Sequence, residues 1–218
     1  MSALSRCEGR LNATELVWEW AQEARIEARL VGVLAAAEID PQRKAQLEQE
    51  RDVETSRADA LAESALVRVV TAWEVFLRDL IEEYLTKRPQ AFQNAWGLTG
   101  SADRMMAIVD KKHGAFQDPG NARKIFKTYV AKKLFEPELA GWAAVLAALE
   151  CRHAIIHAGG TATIRFQEVV KTALPPRDWL HSKPQTAPLP GTEFERVLGE
   201  VRSAVTQLDE RVWKTQAP

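Results

Sequence analysis

The chain has 218 residues, of which 46% are hydrophobic and 27% are charged, as in an ordinary globular domain. This length allows a real core without disulfide or metal staples, and no internal repeat or low-complexity tract is found. Lys and Arg number 29 against 30 Asp and Glu. The resulting net charge of −1 excludes a globally basic nucleic-acid coat, but it does not exclude a local basic face.

The sequence shows no sign of membrane insertion, export or a cysteine framework. No stretch of 18 apolar residues occurs, so we expect no membrane span. The N-terminal sequence MSALSRCEGRLNATE lacks the apolar core of an export signal. Two cysteines, Cys7 and Cys151, are too few for a disulfide framework or a zinc cage. We therefore expect a cytoplasmic protein with reduced thiols and no cofactor.

Two long helices are predicted at the N-terminal end of the chain. Asn12 and Glu15 form a capping-box pattern that opens a helix running to about residue 37. Its large apolar side chains are Leu16, Trp20, Ile26, Leu30, Val33 and Leu34. Asp40-Pro41 then ends this helix and caps the next one, which has neither Gly nor Pro over 42–87.

The second predicted helix has two unlike halves. Its first half is polar, and it either projects into solvent or pairs with the first helix. Its second half carries an amphipathic stripe that predicts core residues. That stripe consists of Leu66, Val69, Val70, Trp73, Phe76, Leu77, Leu80, Ile81 and Tyr84.

The remainder of the chain predicts shorter helices separated by Pro and Gly. Residues 89–100 read as a connection. Helices are then expected over 101–112, from Asp118-Pro119 to about 134, and from Pro137 to 157, where Gly159-Gly160 ends the helix. Residues 161–191 carry five prolines and read as irregular, with a short strand candidate at 163–166. A capping box, Thr192 with Glu195, opens a last helix to about 213. The fold class is therefore all-α, a bundle of about six helices.

Charge is distributed unevenly along this bundle. Residues 1–88 carry 17 acids and 12 bases, a net of −5, whereas residues 89–158 carry 6 acids and 9 bases, a net of +3. The basic stretch at 104–133 is either a set of solvated helix faces or a surface that tracks RNA phosphates. The candidate RNA-binding residues are Lys111, Lys112, Arg123, Lys124, Lys127, Lys132 and Lys133.

The segment ECRHAIIHAGG, residues 150–160, contains two of the four histidines at the end of an apolar helix. At about 100° per residue, Glu150, His153 and His157 share one helix face, and Arg152 lies to its side. The residues alone leave three interpretations open. The simplest is a packed or partly exposed helix end, where the helix dipole favours histidine.

The two other interpretations are chemical. A metal site would use Glu150-x-x-His153 with His157, as in di-iron bundles, but the nearest second set, Asp110-Lys-Lys-His113, contains lysines that repel a cation. We therefore expect no metal. In phosphodiester chemistry, an arginine fork binds a phosphate, and a histidine moves a proton to or from a ribose hydroxyl.

The run Arg152-His153-Ala-Ile-Ile-His157 resembles the signature motif of HEPN domains, in which an Arg and a polar residue precede a His by a few positions. His153 fills the polar position, and the trailing Ala-Gly-Gly at 158–160 also looks like HEPN sequences. The helix over 65–81 is similar to the HEPN helix that packs beside the motif. The resemblance covers about 60–160, and it implies one domain over 1–218 with a HEPN-like core at 60–214 and an N-terminal extension or arm at 1–58.

The resemblance implies a metal-independent ribonuclease that dimerises with its motif helices facing each other across a cleft. Arg152 would bind the scissile phosphate and His157 would act as general base or acid. His153 would position phosphate or ribose. The two-fold axis would supply both an acid and a base to one composite site. The products would be a 2′,3′-cyclic phosphate and a 5′-hydroxyl.

Further residues could support such a site. Glu150 could orient its neighbours, and Glu74 and Arg78 could reach the cleft, although ordinary helix salt bridges explain all three equally well. Cys151 is expected to be a buried structural thiol. Most tryptophans are expected in the core, with Trp96 and Trp179 as the best candidates for stacking on bases.

The sequence thus leads to three functional hypotheses. The first is a HEPN-type endoribonuclease, a toxin or phage-defence effector that acts as a homodimer on RNA, with an antitoxin or nucleotidyltransferase as a possible partner. The second is a catalytically inactive HEPN-like module that binds RNA, a nucleotide or a partner protein. The third is an unrelated helical scaffold in which the motif is a coincidence.

Overall fold

The structure is a computed structural model that describes residues 1–97, 100–113, 116, 118–136, 138–158 and 191–215, apart from the side chains of 95, 96, 112, 113, 157, 158 and 191–193. Across these residues the chain is all-α, with seven helices and no strand, so the predicted helical bundle is confirmed. None of the described helices is both long enough and apolar enough to cross a bilayer. The helices are α1 (Ala3–Ala37), α2 (Pro41–Lys87), α3 (Pro89–Trp96), α4 (Ala102–His113), α5 (Pro119–Tyr129), α6 (Trp142–Ala158) and α7 (Gly191–Lys214).

Helix α1 begins earlier than predicted, so the capping box assigned to Asn12 and Glu15 is wrong. Ser2 is the N-cap, and its hydroxyl accepts a hydrogen bond from the backbone N–H of Ser5 at 3.2 Å. Asn12 and Glu15 instead lie inside the helix and accept hydrogen bonds from Arg202 of α7, at 2.9 and 2.8 Å. Ser, Asn and Glu serve caps and interhelical pairs alike, and only the packed neighbour distinguishes the two uses.

Helices α1 and α2 pair along their length as an antiparallel hairpin. Between Ala21 and the end of α1, the residues buried against α2 are alanines, so the two backbones can approach closely. The large apolar side chains predicted for this helix point away from α2 and are more than half exposed. These are Leu16, Trp20, Ile26, Leu30, Val33 and Leu34.

The core lies around the second half of α2. All nine residues of its predicted stripe are buried, which confirms that prediction. Trp73 meets Trp142 of α6 edge-on at 6.0 Å, and Trp18 of α1 stacks on Phe194 of α7 at 4.3 Å. The same core cluster includes α1 residues from Ala3 to Ala21. The first part of α1 therefore packs with the bundle, and the change in packing does not coincide with the predicted arm boundary at residue 58.

The shorter helices differ from their predicted limits. Residues 89–96, expected as a connection, form α3, because Pro89 fits the first helical position, and Gly97 ends the helix at a φ of 65°. Asp118 caps α5 as predicted, but α5 ends at Tyr129 and not near 134. The side-chain oxygen Oδ1 of Asp118 accepts from two backbone N–H groups of the first turn.

Helix α6 begins at Trp142, five residues after the predicted start at Pro137. The residue before it, Gly141, has a φ of 77°, and a Cβ there would lie 2.1 Å from the carbonyl oxygen of Glu200 in α7. The chain therefore turns into α6 at a position that only glycine can occupy. Helix α7 begins at Gly191, so Thr192 lies inside the helix and the predicted capping-box start is wrong, whereas the helix ends at Lys214, one residue after the predicted end. The strand candidate at 163–166, Gly159-Gly160 and Trp179 lie outside the described residues, as does the side chain of Trp96.

Candidate functional site

Helix α6 holds the Arg-x4-His motif by its buried face. Ala147, Ala148, Cys151 and Ala154 are buried, and the helix packs against α2 and α7. Burial raises the pKa of the Cys151 thiol to about 12, so this group stays neutral at physiological pH. The predicted burial of Cys151 is confirmed. This packing fixes the rotation of α6 and therefore the directions of Arg152 and His153.

Arg152 is joined to Glu74 of α2 across the helix interface. Its Nη1 atom donates a hydrogen bond to Oε1 of Glu74 at 2.5 Å. The two side chains are only 22% and 11% exposed, respectively. Burial raises the pKa of the Glu74 carboxyl, and the charge and hydrogen bond of Arg152 oppose that rise. The structure thus brings together two residues that the sequence singled out separately, 78 positions apart.

The Nε atom of Arg152 is buried and has no hydrogen-bond partner within the described part of the chain. An unsatisfied buried donor costs free energy, which a bound acceptor or water can recover. The guanidinium therefore has one donor paired with Glu74 and one buried donor without a partner among the described residues.

The end of α6 presents an exposed sector beside Arg152. His153 is exposed, and Ile156 is 50% exposed although it is apolar. Helix geometry places Ile156 about 40°, His153 about 100° and the backbone of residue 157 about 140° from Arg152 around the axis. The side chain of His157 lies outside the described residues. The backbone of α6 therefore directs the motif positions toward one side of the bundle.

The other two supporting candidates have different surroundings. Glu150 is half-buried on α6, where its charge helps to raise the pKa of the Cys151 thiol. Arg78 lies one turn after Glu74 on α2, but its Nη2 atom pairs with Asp110 of α4 at 3.1 Å. Both members of that pair are substantially exposed. Arg78 is therefore near Glu74 in the helix, while its charge is already directed toward α4.

The basic residues of 104–133 fall into two groups. Lys111, Lys124, Lys127, Lys132 and Lys133 are exposed, and the side chain of Lys112 is not among the described ones. Arg123 is different, because it is half-buried and its partners among the described residues lie at or just before the start of α6.

Arg123 forms a small cluster that the sequence did not reveal. Its Nη2 atom donates to Glu138 at 3.2 Å, and its guanidinium carbon lies 4.5 Å from the ring centroid of Trp142 and 5.6 Å from that of Phe135. A cation between two aromatic faces contributes to packing. No local pattern signals this cluster, because its members come from α5, the following turns and α6.

The arrangement at α6 can hold an anion beside an exposed imidazole. A guanidinium held by a carboxylate can still offer other donors to a phosphate oxygen, and the exposed His153 follows Arg152 directly on the helix. Among the described residues, no three His, Cys, Asp or Glu side chains converge in a way that could hold a metal ion. Neither a family model, nor a curated protein, nor a solved structure matches this chain.

Proposed function

We propose that this chain is a metal-independent endoribonuclease whose site lies at the exposed end of α6. The observation that carries the proposal is the Glu74–Arg152 pair, whose 2.5 Å contact holds an arginine side chain that is still 22% exposed. The likeness of the Arg-x4-His run to the HEPN motif supports it. In this proposal Glu74 is a positioning residue, and Arg152 is the residue that touches the scissile phosphate.

The proposed reaction uses the ribose of the RNA as nucleophile. A base takes the proton of the 2′-hydroxyl, and the 2′-oxygen attacks the adjacent phosphorus. The bond from phosphorus to the 5′-oxygen breaks, and an acid protonates that oxygen. The products are a 2′,3′-cyclic phosphate and a 5′-hydroxyl. Arg152 stabilises the negative charge that develops on the phosphate oxygens in the transition state.

His157 serves as the proton-transfer residue, and His153 positions the phosphate or ribose. One histidine cannot be base and acid at once, so the proposal includes a homodimer in which motif helices face each other and contribute one His157 each. The half-exposed Ile156 supports this arrangement, because it lies between Arg152 and His153 around the helix and would be buried by a facing copy.

The exposed lysines of α4, α5 and the turn after α5 provide the proposed path for the RNA backbone. Lys111, Lys124, Lys127 and Lys133 are all solvent-accessible, so each can neutralise a phosphate and release counterions. The biological role remains the one that the resemblance implies: a toxin or phage-defence effector, paired with an antitoxin or nucleotidyltransferase.

A second candidate is an inactive HEPN-like module that binds RNA, a nucleotide or a partner protein. The same ion pair favours it in one respect, because a buried carboxylate already compensates the charge of Arg152. In that case the pair would be a structural link between α2 and α6, and Arg152 would not reach a phosphate.

The deciding experiment incubates end-labelled RNA with the full chain in excess EDTA, beside His157→Ala and Arg152→Lys variants. Arg152→Lys keeps a positive charge next to Glu74 but loses the guanidinium fork. His113→Ala and Arg78→Lys are the matched controls on other helices. We expect the wild type and both controls to leave cyclic-phosphate ends, and the two motif variants to lose at least about 100-fold in rate.

Full activity of His157→Ala would reject the mechanism. RNA retention without cleavage by every form would favour the binding module. Thermal midpoints are measured in parallel, and we expect His157→Ala to remain within a few degrees of the wild type.

A further inference from the structure

A second surface of the molecule, on α1, is unrelated to the proposed nuclease site. Around α1, the residues that face α2 and the core occupy one side, and six large apolar side chains occupy the opposite side. At about 100° per residue, these six fall within a sector of about 140°. We call this sector, from Leu16 to Leu34, the outward face of α1. It comprises Leu16, Trp20, Ile26, Leu30, Val33 and Leu34.

The outward face is large enough for a stable contact. Each of its six apolar side chains is between 53% and 68% exposed. Together they offer roughly 700 Å² of apolar surface per copy, which is close to the area that one partner buries in a complex of standard size. The face is about 27 Å long, or five helical turns. Scattered exposed apolar residues are ordinary, whereas six large ones on one face of one helix indicate a docking surface.

The charges within the outward face have one sign. Glu19, Glu23 and Glu27 lie in the same sector, between the apolar residues. Glu19 and Glu23 are exposed and form no ion pair with any residue that the structure describes. Among the described residues, Glu27 is paired only with Arg57 of α2, at 3.6 Å between two exposed side chains. The nearest base of α1 in sequence, Arg25, points toward the hairpin interior.

The position of Arg25 explains why it does not neutralise these glutamates. Its guanidinium carbon lies 5.3 Å from the ring centroid of Trp18, and its Nη2 atom lies 4.0 Å from Asp59 of α2. Arg29 lies outside the sector, about 40° beyond its edge at Val33. The outward face therefore combines apolar area with an excess of acid, since only Glu27 of its three glutamates has a basic partner among the described residues, and it is complementary to a surface that is both apolar and basic.

This charge pattern argues against a second copy of the chain as the occupant. In an antiparallel pair of α1 helices centred on the outward face, Glu23 of one copy would lie beside Glu23 or Glu27 of the other. Facing like charges are destabilising, and they suppress such a pairing. The same glutamates disfavour an anionic lipid surface.

We propose that the outward face of α1 binds a basic amphipathic helix of a partner protein. Such a helix would present apolar side chains at a spacing of three and four residues over about five turns, with Lys or Arg beside them opposite Glu19, Glu23 and Glu27. Because α1 is already held by α2, binding needs no rearrangement of this chain.

The test uses the full chain and a fluorescent synthetic peptide of about 18 residues, with Leu at helical spacing and Lys at the flanking positions. One control peptide has the same composition in an order without helical periodicity, and another has Glu in place of Lys. We expect saturable binding of the first peptide in fluorescence anisotropy, at least about tenfold tighter than that of either control.

Variants locate the binding surface. Leu30→Ser should weaken binding of the amphipathic peptide by at least about tenfold, because the substitution removes apolar area from the centre of the face. Its matched control is Val53→Ser, which removes an equally exposed apolar side chain from α2 of the same hairpin. Glu23→Gln should weaken binding by about threefold, and Glu50→Gln on α2 should leave it unchanged.

Three outcomes would overturn the proposal. The first is absence of saturable binding by the wild type, which would also result if another part of the chain already covers the face. The second is a loss of peptide affinity in Val53→Ser as large as the loss in Leu30→Ser, which would indicate nonspecific apolar attraction. The third is a dimer in sedimentation that dissociates on Leu30→Ser, which would make a second copy the occupant. None of these readouts depends on RNA cleavage, so the outcome is independent of the proposed nuclease.

Discussion

The two halves of α2 show how one uninterrupted helix can serve two different purposes. Its second half buries large side chains from Leu66 to Leu85 at the centre of the bundle, whereas its first half buries only Leu47, Ala58 and Ala62. Glu74 lies in the packed second half, and there its poorly exposed carboxylate forms an ion pair with Arg152. In the other half, α1 and α2 close against each other through small residues, and the large apolar side chains of α1 face outward. Stability is thus concentrated at one end, and exposed recognition surface at the other.

Core truncations should give the largest contrast between the halves. We expect Phe76→Ala to lower the free energy of unfolding by about 3–5 kcal/mol, because it opens a cavity among fully buried residues. Leu47→Ala, which truncates the one large buried side chain in the first half of α2, should cost about 2 kcal/mol. Urea denaturation monitored by circular dichroism measures both. Equal costs would mean that the first half of α2 contributes as much to the fold as the second.

Removal of Arg152 should give the next largest effect. Arg152→Ala leaves the Glu74 carboxylate poorly exposed and without its partner, and we expect a loss of about 2 kcal/mol at neutral pH. Arg78→Ala, on a more exposed pair, should cost less than about 1 kcal/mol. Adding Glu74→Gln to Arg152→Ala should restore part of the stability. A double variant no more stable than Arg152→Ala would show that the carboxylate is not the source of the loss.

The same variant has a pH dependence with a defined sign. Burial raises the pKa of Glu74 in the folded protein, and the charge and hydrogen bond of Arg152 oppose that rise. In Arg152→Ala this opposition is lost, so the pKa of Glu74 rises further. A carboxyl whose pKa is higher in the folded than in the unfolded protein holds its proton more tightly in the folded state. Its protonation therefore stabilises the fold at low pH, and this stabilisation is lost as the pH rises through the pKa of the folded state. The deficit of Arg152→Ala should therefore shrink toward acidic pH and be largest at neutral pH. Thermal unfolding across pH measures this, and a deficit independent of pH would contradict it.

Substitutions of Arg123 and of the neighbouring Lys127 should have different effects, because Arg123 contributes to packing and Lys127 is proposed to bind phosphate. Arg123→Ala should cost about 1 kcal/mol of stability, because it removes the cation between Trp142 and Phe135. Lys127→Ala should leave the free energy of unfolding unchanged. It should reduce the slope of the logarithm of the RNA-binding constant against the logarithm of salt concentration by about the amount expected for one phosphate contact. Thermal unfolding and RNA binding at several salt concentrations distinguish the two. A lower salt slope for Arg123→Ala would place that residue on the RNA path as well.

The smallest stability effect is expected on the outward face of α1. Leu30→Ser should change the free energy of unfolding by less than about 0.5 kcal/mol, because the side chain is mostly exposed already. The contrast with Phe76→Ala is the sharpest form of the comparison between the two regions. A loss above about 1 kcal/mol would show that the outward face is covered within the folded chain.

The sequence alone determined most of the helices and much of the core. Periodicity without Gly or Pro predicts α2 and its buried stripe, because a continuous apolar face at helical spacing has one stable solution in a bundle. Asp40 and Asp118, each before a proline, predict two helix starts that the structure confirms. The Arg-x4-His run and its resemblance to the HEPN motif also singled out Arg152 and Glu74 as candidates, and the structure pairs these two residues.

Only the tertiary structure decided whether cap-like residues cap a helix and which stripe of an amphipathic helix is buried. Asn12 and Glu15 have the residue types of a cap, but Arg202 of α7 makes them an interhelical pair. Helix α1 carries two stripes, one of small residues and one of large ones, and hydrophobicity by itself favours burying the large one. The small stripe is buried instead, because close packing against α2 depends on how near the two backbones can approach, and that distance is a property of both helices together.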